Sequence, residues 1–147
     1  MRKHHYGLCA ALLVAMALPW TLAAAADLNA PIDPQAVQLQ PQEQNGVRYL
    51  QGGIGQDEAN ALRRTPGYDL HVTLSVGPEG KFQSGATVDI QNAQGQQVLA
   101  LQDVGPLLFV QLPPGQYRVT GNADGQTVQQ QVSVSGKSPA NVNLHWR

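Results

Sequence analysis

From Tyr68 the chain alternates between apolar and polar side chains. Tyr68, Leu70, Val72, Leu74 and Val76 fall on one side, and Asp69, His71, Thr73 and Ser75 on the other. A period of two is the signature of an extended strand with one dry face, so the pattern predicts a strand over 68–76. The alternation resumes in Ala86-Thr87-Val88-Asp89-Ile90, and further strands are predicted over 97–101, 107–112, Tyr117-Arg118-Val119-Thr120 and 127–135. A last strand directs Val142, Leu144 and Trp146 inward and Asn141, Asn143 and His145 outward. Val47-Arg48-Tyr49-Leu50 is a shorter candidate.

Turn residues separate these runs. Asn92-Ala93-Gln94-Gly95 makes one turn and Pro113-Pro114-Gly115 a rigid corner, because proline fixes φ and glycine accepts the tight bend. Asp124-Gly125 is a strong two-residue hairpin signal. The stretch 77–85 is a loop rich in Gly and Pro. One segment breaks the strand pattern: Gln56 to Arg64 reads as a short helix, with Asp57 and Glu58 at its positive end, Arg63 and Arg64 at its negative end, and Pro66-Gly67 as its stop. The fold class that follows is all-β, a seven-stranded antiparallel sandwich with one short helix before the first long strand. Clean alternation gives each sheet one wet face and places the core between the two sheets.

Ahead of the sandwich lie two segments of different character. Residues 1–26 have the three parts of an export signal: basic Arg2-Lys3, an apolar run from Leu8 to Leu18, and Ala24-Ala25-Ala26 at the cleavage subsites. Gly7 to Ala26 spans twenty mostly apolar residues, but Pro19 interrupts that longer stretch, which argues against an uncleaved anchor. Residues 27–45 carry Pro31, Pro34 and Pro41 among five glutamines and read as a flexible arm, with Val37 and Leu39 as the material for an alternative edge strand. The predicted organisation is therefore signal 1–26, arm 27–45 and β-domain 46–147, with the product periplasmic or secreted and no stable membrane insertion after cleavage.

Cleavage would leave 121 residues, with seven basic and ten acidic side chains and a net charge of −3. No basic field remains for nucleic acid, whose binding rests on clustered Lys and Arg. The single cysteine, Cys9, lies within the signal, so the domain holds no disulfide, thiolate metal site or cysteine nucleophile. Its histidines are His71 and His145. His71 shares the polar side of its strand with Asp69, and with His145 the three residues are the material for a metal site or general base, although two separate surface histidines is the favoured reading. No Gly-x-Ser-x-Gly elbow surrounds any serine. Gly52-Gly53-Ile54-Gly55 ahead of the helix matches no phosphate-binding fingerprint, and Asp57 and Glu58 would repel an anion there. Arg63, Arg64 and Arg118 are candidates for a small basic patch but read better as solvated side chains. Glutamine is the compositional excess, with 19 in residues 27–147, and its amides suit a glycan or a partner backbone as well as a neutral coat.

Ala86 to Ile90, the turn ending in Gly95, and Val110-Gln111-Leu112-Pro113-Pro114-Gly115-Gln116-Tyr117-Arg118-Val119 together resemble the carboxypeptidase regulatory-like domain, a transthyretin-like (prealbumin-like) sandwich. The Leu-Pro-Pro-Gly-x-Tyr run carries most of the likeness. Tyr49 to Glu58 is similar to a segment preceding such domains in small exported bacterial proteins. Asp103-Val104-Gly105-Pro106 departs from the usual acidic-glycine turn. The resemblance implies an accessory module. The purine-pathway enzyme of related fold ends Tyr-Arg-Gly-Ser, whereas this chain has Leu144-His145-Trp146-Arg147. The expected function is thus a non-enzymatic binding module with no cofactor, metal or catalytic residue, which takes an envelope protein or a glycan at a sheet edge or at the loops 77–85 and 103–106. The alternatives are a small envelope hydrolase or metal-dependent protein built on His71, Asp69 and His145, and a structural envelope protein that self-associates through its edges.

Overall fold

A computed structural model describes residues 37–147. The expected export signal, Cys9 and most of the arm lie outside the described residues. Ten strands and one helix follow one another: β1 (Gln42–Gln44), β2 (Val47–Gly52), α1 (Gln56–Arg64), β3 (Leu70–Val76), β4 (Lys81–Phe82), β5 (Ala86–Asn92), β6 (Gln97–Val104), β7 (Leu107–Val110), β8 (Gly115–Ala123), β9 (Gln126–Val134) and β10 (Ala140–Trp146). They form two sheets. The first runs β1-β2-β7-β3-β10, with β4 added beside β3, and the second runs β6-β5-β8-β9. All-β architecture in two layers and a single short helix agree with the hydrophobic pattern.

Three details differ from it. The strand count exceeds seven through short ladders that alternation cannot reveal. β4 spans two exposed residues paired with Ser75 and Val76. β1 falls in the stretch read as a flexible arm and forms a hairpin with β2 through Asn45 (φ 52) and Gly46 (φ 76). That Asn-Gly turn is the sequence signal for the hairpin, since both central residues need left-handed φ. Second, the sandwich is not wholly antiparallel, because β10 runs parallel to β3 in register Leu70↔Ala140 to Val76↔Trp146. A crossover between layers delivers it, as parallel neighbours require. Third, the expected loop 103–106 is mostly strand and core: β6 continues to Val104, and Val104, Gly105 and Pro106 are buried. Asp103 (φ 54) sits where the β5–β6 register slips between Ala86 and Val88, an extra residue accommodated as a bulge.

The core lies between the sheets and takes in Leu70, Val72 and Leu74 of β3, Val88 and Ile90 of β5, Leu99 of β6, Val119 of β8 and Leu144 and Trp146 of β10. Close approach of the layers leaves no room at Gly121, where a Cβ would lie 2.8–2.9 Å from Leu144 and Trp146. Trp146 donates its indole N–H to the Gln126 carbonyl at 2.9 Å. The prolyl corner behaves as its sequence suggests: Tyr117 is buried and its hydroxyl donates to the Pro113 carbonyl at 2.7 Å. A second cluster sits on the outer face of the first sheet. There Ala59 and Leu62 of α1 cover Leu50, Leu107 and Phe109, with Tyr68 beside them. A nine-residue helix has too little intrinsic stability to stand alone, so this apolar contact is what holds it. Asp57 and Glu58 lie in its first turn and Arg63 and Arg64 in its last, but its N-cap is Gly55 (φ 94), with no side-chain capping bond.

Candidate functional site

The structure separates the three residues considered for catalysis or metal binding. His71 and His145 both point from the outer face of the first sheet, but His71 stands opposite Asn141 and His145 opposite Ser75, four residues apart along the ladder. That spacing is roughly 13 Å of strand. Asp69 precedes β3 and turns to the prolyl corner, where its carboxylate accepts the Leu112 N–H at 3.0 Å. His71 instead stacks flat on Phe109, with ring centroids 3.8 Å apart and planes 6° from parallel. Burial against that ring holds its pKa below the ordinary histidine value, opposed in part by a hydrogen bond with the Tyr68 backbone. Among the described residues, no three His, Cys, Asp or Glu side chains stand close enough to hold a metal ion.

His145 has a different partner. The buried Ser75 hydroxyl donates to Asn143 Oδ1 at 2.9 Å and lies 2.9 Å from His145 Nδ1. A hydroxyl whose proton goes to Asn143 accepts from Nδ1–H, so the imidazole donates to Ser75 rather than withdrawing its proton. This arrangement ties β10 to β3. It does not generate a nucleophile.

The loops singled out in the sequence do converge. At one end of the sandwich, Ser84 and Gly85 from the 77–85 loop, Asp103, Val104 and Gly105 from the bulged end of β6, and Gln51, Gly52 and Ile54 frame a cleft of about 280 Å³. One backbone and one side-chain hydrogen bond tie the three segments together: Gly85 N–H donates to the Val104 carbonyl at 2.9 Å, and Gly105 N–H donates to the Gln51 side-chain Oε1 at 3.2 Å. Gly105 packs so closely that a Cβ would fall 2.8 Å from the Gly52 carbonyl oxygen. The Gly52–Gly55 bend is filled from the protein's own side, since the Glu58 carboxylate occupies the space a Cβ at Gly52 would need. Ile54 stands on the rim with 72% of its surface exposed. Phe82, 45% exposed, lies two residues before the cleft-lining Ser84, with the Arg63 guanidinium 5.8 Å above its ring. These are the two large apolar side chains the described residues leave in water. Sequence reading missed both, since Ile54 reads as part of a glycine bend and Phe82 as part of a loop.

The arginines do not form a patch. Arg63 belongs to the helix side of the first sheet and Arg118 to the second sheet. Arg118 lies in a shallow cleft of about 280 Å³ with Gln91, Asn92, Gln116 and Gln131, where part of the glutamine excess gathers. Gln129, Gln130 and Gln131 continue β9 without a break.

No family model matches this chain. No curated protein matches it either.

Proposed function

We propose that this chain is a non-enzymatic binding module that takes a protein partner at the loop end of its sandwich. The observation carrying this reading is Ile54, held 72% exposed on the rim of a cleft whose walls are tied by the Gly85–Val104 and Gly105–Gln51 hydrogen bonds. An apolar anchor on a rigid support loses little freedom when it is covered, which favours recognition there. Phe82, two residues before the cleft-lining Ser84, is the other exposed large apolar side chain and carries the Arg63 cation over its ring. We further propose, from the Leu112-to-Tyr117 run and the two-layer architecture, that the domain is a transthyretin-like sandwich of the carboxypeptidase regulatory-like kind. The apolar run 8–18 with Ala24-Ala25-Ala26 behind it supports export to the periplasm or beyond.

A photo-crosslinking residue at position 54 tests the binding site, with position 94 as the control, because the 92–96 turn lies at the opposite end of β5. One dominant adduct formed in cells from position 54, absent from position 94 and lost when Phe82 is changed to Asp, is the expected result. Equal adducts from both positions would remove the proposal.

A further inference from the structure

The edge strand β9 has a property that the loop end does not share and on which the reading above does not depend. β9 is nine residues long, pairs only with β8, and carries no Lys, Arg, Asp, Glu or Pro. Long uncharged edges are what soluble sheet proteins ordinarily avoid, because free N–H and C=O groups invite another strand. The other edge of the same sheet is partly blocked, since Gln44 Oε1 accepts the Ala100 N–H of β6 at 2.7 Å. On β9, Thr127, Gln129, Gln131 and Ser133 are exposed, and so is Gln130 on the side facing the other sheet.

The order of residues on this edge is nearly palindromic: Thr127-Val128-Gln129-Gln130-Gln131-Val132-Ser133 reads as the same chemistry in either direction about Gln130. We propose that two copies of this chain join β9 to β9, antiparallel, about a two-fold axis through Gln130, so that two four-stranded sheets become one of eight. In that register Val128 meets Val132, Gln129 meets Gln131, Thr127 meets Ser133 and Gln130 meets its own copy. Valines pair on the inward side and amides and hydroxyls on the outward side, the cross-strand combinations that stabilise a ladder. Sliding the copies by two residues sets Val128 against Gln130 and loses the match.

The backbone permits the same register. Asp124 (φ 50) and Gly125 (φ 76) form a two-residue turn, which makes Ala123 and Gln126 the closing hydrogen-bonded pair. Pairs then alternate along the hairpin, so Gln126, Val128, Gln130, Val132 and Val134 turn their backbone groups to β8. Thr127, Gln129, Gln131 and Ser133 turn theirs outward. A two-fold at Gln130 brings those outward residues opposite one another, as an antiparallel ladder needs. No like charges meet at the seam. A ladder of this length covers less than the ~800 Å² per partner of a standard interface, so association in the micromolar range is expected.

Two double variants test the seam by sedimentation of the protein as the cell processes it. Gln129→Glu with Gln131→Glu sets two Glu–Glu contacts across the axis, and Gln129→Lys with Gln131→Glu sets two Lys–Glu contacts at the same exposed positions. The wild type is expected to dimerise at micromolar concentration, the Glu–Glu variant to need at least about tenfold more protein, and the Lys–Glu variant to match or better the wild type. Gln130→Cys in a Cys9→Ser background is expected to give a disulfide-linked dimer on oxidation, since a non-hydrogen-bonded pair spans the required Cα distance. A wild type that stays monomeric to about 1 mM, or two charge variants that associate equally, would overturn the proposal.

Discussion

His71 owes its setting to register. It sits directly opposite Phe109 in the β3–β7 ladder, and the two rings stack because both point to the outer face, which α1 half covers. Stacking takes water from the imidazole and favours its neutral form in the folded domain, while the unfolded chain still takes a proton in the ordinary histidine range. With the folded pKa the lower of the two, the unfolded state binds more protons as acid is added, so stability is full above that ordinary value and declines as pH falls toward the folded one. Urea midpoints are therefore expected to drop between about pH 7 and about pH 5 in the wild type, and to drop less in His71→Gln. Equal slopes for the two proteins would count against this account. The outward direction of His71 was legible from alternation alone. Its partner was not, because the meeting of β3 with β7 depends on a crossover of some thirty residues through the second sheet, and no local pattern encodes that register.

At the scale of elements, the sequence was most readable where the signal is local. α1 occupies the predicted 56–64 span, and the turns at 92–95 and 124–125 form where Asn, Asp and Gly stand. The shorter ladders escaped. β1 is three residues whose pairing depends on the Asn45-Gly46 turn, and β4 is two residues paired across a loop. The candidate site divides in the same way. Its loops were visible as composition, but their convergence with Gly52–Ile54 is a product of tertiary packing. Because α1 is held by Ala59 and Leu62 rather than by a side-chain cap, Leu62→Ala is expected to weaken its docking by about 2–5 kcal/mol. Hydrogen exchange checks this locally: the amides of 59–64 should lose protection while those of β5 and β8 keep theirs. Uniform loss across both sheets would mean that the helix and the sandwich open as one unit.

The whole molecule is stabilised by apolar burial and backbone ladders, with charge playing a minor part. Ser75 is the one buried polar side chain among the described residues, and the one ion pair among them, Lys81 with Glu79 at 3.1 Å, is about three-quarters exposed at both ends. Exposed pairs of this kind contribute little and are screened by salt. Raising sodium chloride from about 0.05 to about 0.5 M is thus expected to change unfolding stability by less than about 0.5 kcal/mol, measured by urea titration at pH 7. A larger loss would reveal charge interactions that the geometry does not contain.

The parallel pairing of β3 with β10 also has a consequence in time. Residues 70–76 are made early and each residue of 140–146 follows its partner by seventy positions, yet the two run side by side through the full length of both strands. Until that later segment emerges, β3 keeps a bare flank and the core lacks Leu144 and Trp146. The four strands of the second sheet, joined in part by tight hairpins, can assemble sooner. A chain delivered N-terminus first therefore waits, half closed, for a strand that arrives last and locks both layers, and the indole of Trp146 is the natural optical reporter of that arrival.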